Sequence, residues 1–251
     1  MNDCNPWLQA GEHLDRLGYQ GLSIIQNPSK FKFTMDSFLL TGFVTPKVDE
    51  KLIDLGTGSG VLTLLLAGQD GLRQVVGVEI QPELAELARR NVLLNQLETN
   101  ITIIEADLRE LPENISPNSF HWVIANPPYF PVTGGVVSEN PALAQAKFEL
   151  TCNLDDLLRT MSRLVKGNGR VALIYPAERL ATLLTKLEQY HLTPKRLCLI
   201  HSFAHTASNL CLVEARPGAK SGVTVLPPLF IYQAEGVYSE SMNQIFLGKK
   251  F

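Results

Sequence analysis

The sequence predicts an α/β fold: a mostly parallel sheet covered on both faces by helices. Three observations carry this. From residue 51 onward, near-continuous apolar runs alternate with amphipathic helical patterns. A glycine-rich turn, "DLGTGSG", follows the first run. Acidic or amide side chains close the next three runs, at Glu79, Asp107 and Asn126.

The elements follow in order. "KLIDLG" (51–56) reads as a strand and "SGVLTLLLAGQ" (59–69) as the helix opened by the glycine turn. "QVVGVEI" (74–80) is a strand, and "PELAELARRNVLLNQ" (82–96) is a helix with Pro82 at its first turn. "ITIIEAD" (101–107) and "FHWVIA" (120–125) are strands. "LDDLLRTMSRLVK" (154–166) is a helix ended by "GNG", and "GRVALIYP" (169–176) is the next strand. "AERLATLLTKLEQY" (177–190) is helical, and "PKRLCLIHSF" (194–203) and "NLCLVEAR" (209–216) are strands. Three segments are expected: a head (1–50) packed on the substrate side, a core (51–216), and a tail (217–251) completing the same domain. The head holds "LSIIQNP" and "FKFTMDSFLLTGFV", the latter a short strand entering a helix.

Composition excludes several classes. Hydrophobic content of 45% and charged content of 19% suit a packed core rather than disorder. No apolar run approaches the roughly 18–20 residues of a membrane span. The start, "MNDCNPWLQAGEHLDRLG", lacks an apolar export core. Cys4, Cys152, Cys198 and Cys211 are scattered and suggest no disulfide framework. A cytoplasmic monomer is the expectation, with no membrane partner. Net charge is −3, yet residues 1–149 hold 10 basic and 18 acidic side chains, whereas 150–251 hold 12 and 7. That asymmetry is either a basic C-terminal surface for a polyanion or ordinary scatter.

The turn after the first strand spaces Gly56, Gly58 and Gly60 as G-x-G-x-G, after Asp54. A dinucleotide fingerprint needs G-x-G-x-x-G, and its last position is Val61 here. With no pyrophosphate to cradle, the loop suits a nucleoside joined to an amino acid, as in S-adenosylmethionine. Glu79, about twenty residues downstream, is placed to accept ribose hydroxyl hydrogens. Asp107 is placed to accept one from an adenine amino group. These residues and Asn126 are the expected cofactor contacts.

"FHWVIANPPYF" (120–130) delivers Asn126 to the same crevice. Pro127 forces Asn126 out of the helical region, and Pro127 and Pro128 stiffen the corner while lacking N–H donors. The Asn126 side-chain oxygen and the Pro127 carbonyl can each accept one hydrogen of a planar amino group. That localises the nitrogen lone pair and aims it at an electrophilic methyl. Tyr129 offers a ring for stacking, worth about 1–3 kcal/mol per base, and Phe130 a second wall. The expected catalytic set is Asn126, Pro127, Pro128 and Tyr129. A plain proline turn is the competing reading of the tetrapeptide alone.

"DLGTGSG", "VEI", "EADL" and "NPPY" resemble the class I, Rossmann-like, S-adenosylmethionine-dependent N-methyltransferases. The resemblance implies a seven-stranded sheet whose last strand is antiparallel. "FKFTMDSFLLTGF", "ALAQAKFEL", "PKRLCLIH", "LCLVEARPG" and "LPPLFIYQAEGVYSES" are similar to the bacterial valine-tRNA adenine-N6-methyltransferase group. That implies methylation of N6 of the adenosine 3′ of the anticodon, with tRNA as partner. One departure is Lys147, where the family pattern has Arg. Lys195 and Arg196 are expected substrate contacts, with Arg216, Lys220, Lys249, Lys250, Lys30 and Lys32 as further phosphate candidates. Segment 130–141 is either a lid hinged at Gly134-Gly135 or an uninvolved loop. Cys198, His201, His205 and Cys211 superficially suggest zinc, but Cys198 and His201 leave opposite faces of a strand, so no metal is expected. Two other functions fit the core motifs: a protein glutamine-N5-methyltransferase acting on release factors, and a non-catalytic nucleic-acid-binding scaffold.

Overall fold

The structure, a computed structural model, describes residues 6–18, 21–27, 35–68, 72, 74–127 and 153–251. Pro128, Tyr129, Phe130, the 130–141 segment, Lys30, Lys32, Lys147, Cys4 and Cys152 lie outside these residues.

Among the described residues, seven long strands build the central sheet: β3 (Lys51–Leu55), β4 (Gln74–Glu79), β5 (Ile101–Glu105), β6 (Phe120–Ala125), β7 (Val165–Pro176), β8 (Leu192–His201) and β9 (Ser208–Pro217). Their order is β5-β4-β3-β6-β7-β9-β8. β9 runs antiparallel between β7 and β8, and the other neighbours are parallel. This is the mostly parallel seven-stranded sheet expected, with its last long strand reversed. β10 (Thr224–Val225) and β11 (Leu229–Phe230) extend the edge along β8. The chain runs outward from β3 to β5 and then returns to β6 beside β3. The crevice beyond the carboxyl ends of β3 and β6 is therefore the switch point where such sheets bind ligands.

Strand alternation divides the core. Leu52, Trp122, Ile124, Ala172, Ile174 and Cys198 face one side, under α1 (Asp36–Phe43), α2 (Val61–Ala67), α3 (Pro82–Leu94) and α6 (Glu240–Phe246). Ile53, Leu55, Val123, Ala125 and Leu173 face the other, under α4 (Leu154–Leu164) and α5 (Leu180–Gln189). α4 starts in a capping box: the Asn153 side chain accepts from the Asp156 amide, and the Asp156 carboxylate accepts from the Asn153 amide. The expected break at "GNG" is instead continuous β7, with an irregular register against β6 between Phe120 and Trp122. Gly169 permits this, because a Cβ there would sit 2.9 Å from the His121 carbonyl oxygen.

The head folds as a hairpin of β1 (His13–Arg16) and β2 (Ser23–Gln26) docked on α3. Asn91 and Asn95, one helical turn apart, offer their carboxamides to β2 as a neighbouring strand would. Asn91 accepts from the Ile25 amide at 2.7 Å and donates to the Ser59 carbonyl at 2.9 Å. Asn95 accepts from the Ser23 amide at 2.9 Å and donates to the Ser23 carbonyl at 2.7 Å. Arg90 adds a two-pronged pair with Glu12, at 2.6 and 2.8 Å. Asn91 is fully buried and touches both the head and the glycine turn. Asn91→Ala orphans a buried amide and a buried carbonyl, and should lower stability by about 1–3 kcal/mol in urea unfolding. Half-buried Asn95→Ala should cost less. Equal or negligible losses would contradict this docking role.

Candidate active site

The site begins with Asp54, the last polar residue of β3, which is 1% exposed. After it the chain must turn sharply into α2, and Gly56, Gly58 and Gly60 all have positive φ (79°, 58° and 85°). At Gly60 space is restricted too: an added Cβ would lie 3.2 Å from the Ala88 Cβ.

The amides of this turn are largely engaged within the protein. Those of Gly56 and Thr57 both donate to the Val78 carbonyl at 2.9 Å, and that of Gly60 donates to the Thr57 carbonyl at 3.0 Å. The Gly58 amide donates to Glu79 Oε2 at 2.9 Å. The loop therefore offers few free donors to a phosphate. It presents acceptors instead.

Glu79 closes β4 and is 3% exposed. Its second oxygen, Oε1, accepts from the Gln81 amide at 2.9 Å. Burial raises its pKa, and the Gln81 and Gly58 amides pull it back. The Ile80 amide and the Gln81 side chain add to this hold on the carboxylate. Asp54 differs: among the described residues neither of its oxygens has a hydrogen-bond partner of normal geometry, nor does the Thr57 hydroxyl. Burial pushes the Asp54 carboxyl up to about 7; the nearby Thr57 hydroxyl offsets this partly, and the Glu79 charge adds to it. Two buried carboxylates on adjacent strands, one of them unsatisfied, suit a ligand that brings hydroxyl donors and positive charge. S-adenosylmethionine, with ribose hydroxyls, an ammonium and a sulfonium, fits that donor demand.

Asp107 follows β5, and Arg109 engages it heavily. Arg109 Nε lies 3.0 Å from both carboxylate oxygens, and the Arg109 amide donates to Oδ1 at 2.8 Å. Arg109 holds the carboxyl below its ordinary pKa. Asn126 is the first residue beyond β6, half-buried, followed by buried Pro127. Because Ile124 pairs with Asp54, Asn126 stands level with the Gly56 turn, one strand spacing of about 4.8 Å away.

Lys195 and Arg196 are placed elsewhere. Arg196 shares a rung with Asp54 through Ile124, Ala172 and Glu214, but four strands over, roughly 19 Å away. Its guanidinium donates to Glu214 Oε2 at 2.9 Å and to the Phe43 carbonyl at 3.2 Å, and lies over the Phe43 ring. The Lys195 ammonium donates to the carbonyls of Lys220 and Gly222. Arg216 and Arg170 also face the buried Glu214 carboxylate, and Lys250 donates to the Thr41 carbonyl. Cys198 and Cys211 are buried on opposite faces of the sheet, with thiols pushed up to about 11 and about 12 by burial. Among the described residues no cluster of three or more His, Cys, Asp or Glu side chains is arranged for a metal, and no helix is long and apolar enough to cross a membrane.

Residues 46–216 match the family model described as a methyltransferase domain. A tRNA1(Val) (adenine(37)-N6)-methyltransferase of Porphyromonas gingivalis is 31% identical over 197 residues, 76% of each chain. One of the same description from Haemophilus influenzae is 25% identical over 92% of this chain and 97% of its own. Among solved structures, a predicted O-methyltransferase of Agrobacterium tumefaciens aligns at TM-score 0.67 and 23% identity, over 86% of this chain and 97% of its own. The geranyl diphosphate C-methyltransferase of Streptomyces coelicolor, solved with S-adenosyl-L-homocysteine, aligns at 0.51 and 14%, over 72% and 76%. These two likenesses establish the fold.

The raised Asp54 pKa has a definite sign. The folded state holds this proton more tightly than the unfolded chain, whose value is 3.8. The stabilisation is complete below that value and is lost as pH rises through about 7. Asp54→Asn should therefore change stability little near pH 4 and raise it at pH 8, by up to about 4 kcal/mol in urea unfolding. A gain independent of pH would contradict a protonated Asp54.

Proposed function

The chain belongs to the S-adenosylmethionine-dependent methyltransferases, and from that premise we propose that it methylates N6 of an adenosine in tRNA, the one 3′ of the anticodon in a valine tRNA. The observation that carries this reading is the Asn126-Pro127 corner beside the β3 switch point, in a chain similar to tRNA adenine-N6-methyltransferases.

S-adenosylmethionine supplies, when bound, an electrophilic methyl group on a cationic sulfonium. Glu79, at the carboxyl end of β4, would accept from the ribose hydroxyls. Asp54 offers the negative charge that a nearby cation would neutralise. Asp107 can take the adenine amino group of the cofactor only by releasing part of its hold on Arg109. Asn126 Oδ1 and the Pro127 carbonyl accept the two hydrogens of the target amino group, fixing its plane and directing its lone pair toward the methyl. Because the nitrogen sheds its proton after attack, no strong base is required. From the sequence alone, Pro128 is given the role of stiffening the corner, and Tyr129 and Phe130 that of stacking on the base. Swinging an anticodon-loop adenine out of its stack costs at most a few kcal/mol, which RNA contacts elsewhere supply. The head (1–50) serves the substrate side, and the tail (217–251) completes the same domain.

A glutamine carboxamide presents the same flat amino group, so the test offers both substrates. Labelled methyl transfer to total RNA, with mapping of the product, should place N6-methyladenosine in one tRNA anticodon loop, with a release-factor peptide unlabelled. Label in the peptide and none in RNA would overturn the assignment. Asn126→Ala should bind S-adenosylhomocysteine nearly as well as the parent protein while turnover falls about 100-fold or more. Normal turnover would remove Asn126 from the chemistry.

A further inference from the structure

A row of aromatic rings runs along the tail. β12 (Tyr232–Ala234) and β13 (Val237–Tyr238) form a small hairpin in which Tyr232 and Tyr238 pair across the strands. Their rings stack at 5.2 Å between centroids, 17° from parallel. Phe203 continues the row 5.5 Å from Tyr232, and His205 stacks on Phe203 at 5.6 Å. In the other direction Phe246 meets Tyr238 edge-on at 5.0 Å and is anchored to Phe38 at 5.1 Å.

Phe38 and Phe246 belong to the core, which accounts for that end. The other end is open. His205 and Tyr238 are exposed, Tyr238 by 36%, and Val237 beside it is 45% exposed. Adjoining exposed apolar side chains such as Val237 and Tyr238 offer surface that a partner can cover. The hairpin is tied to the carboxyl end of β8: the Ile231 amide donates to the His201 carbonyl, and the Tyr232 amide to the Ser202 carbonyl, both at 2.9 Å. β8 runs parallel to β6, so the rings stand at the same edge of the sheet as Asn126. The offset is three strand spacings, about 14 Å sideways, and about 10 Å along the strand. A strand of a few nucleotides spans that distance.

We infer that Phe203, His205, Tyr232 and Tyr238 form a stacking platform for unpaired bases flanking the target adenosine. The inference rests on the RNA reading of the active site. The inner rings, Phe203 and Tyr232, are flanked by their neighbours, so a base stacks on the outer face of His205 or against the exposed side of Tyr238. Such contacts accept any base, and an anticodon loop presents several bases that are not paired.

The test measures binding and methylation of an anticodon stem-loop RNA by Tyr232→Ala and Tyr238→Ala, with the Phe replacements as controls. Each Ala variant should weaken stem-loop binding about 5- to 100-fold, raise KM more than it lowers kcat, and leave S-adenosylhomocysteine affinity unchanged. The Phe variants should bind like the parent, because the ring and not the hydroxyl stacks. His205→Ala, at the exposed end, gives a readout if an Ala variant fails to fold, and should also weaken binding. Parental RNA affinity in folded Ala variants, or equal losses in the Phe variants, would overturn the platform while leaving the active-site reading intact. If the parent protein methylates a glutamine peptide and not RNA, the active-site reading fails and the platform with it.

Discussion

Two carboxylates buried at the ends of adjacent strands set the character of this molecule. Burying like charges side by side is costly, and the structure compensates only one of them. Glu79 is held by the amides of Gly58 and Gln81, whereas Asp54 has no comparable donors among the described residues. The imbalance explains why burial lifts the Asp54 pKa so far. It also fixes the kind of ligand that relieves it: one carrying hydroxyl donors and positive charge. A phosphate would meet the opposite arrangement, a turn whose amides already have partners and whose nearest side chains are acids.

The surrounding structure keeps that corner in place. Val78 accepts two amides of the turn, tying it to β4, and buried Asn91 ties it to α3 and to the head. The head is thereby coupled to the glycine turn through one carboxamide. Around Glu214 the logic is reversed: a buried carboxylate surrounded by Arg170, Arg196 and Arg216 is fully compensated. It joins the β7, β8 and β9 strands rather than waiting for a ligand.

Much of this was legible because apolar runs and their punctuation encode local structure. β6 matches its expected span of 120–125, and β4 and α3 differ from theirs by one or two residues. The long antiparallel pair β8 and β9 was visible as two apolar runs, and its antiparallel sense came from family resemblance rather than from spacing. The head hairpin was not legible, since its partners are the side chains of Asn91 and Asn95, some 70 residues away. Periodicity treats these as ordinary helix residues. The run through "GNG" was misread as a break because glycine also serves close strand packing. At the site, identity and position of the acids were readable, whereas their partners were not. That Arg109 occupies Asp107, and that Arg196 serves Glu214, depends on contacts no motif records.

On the proposed function, Asp54 passes from an unsatisfied, partly protonated carboxyl to a charged partner of the bound cofactor. Calorimetric affinity for S-adenosylhomocysteine, followed between pH 6 and 8 in parent protein and Asp54→Asn, tests it most directly. The account predicts tighter binding by the parent as pH rises through about 7, and weaker, pH-independent binding by the variant. Identical pH profiles in the two proteins would contradict it.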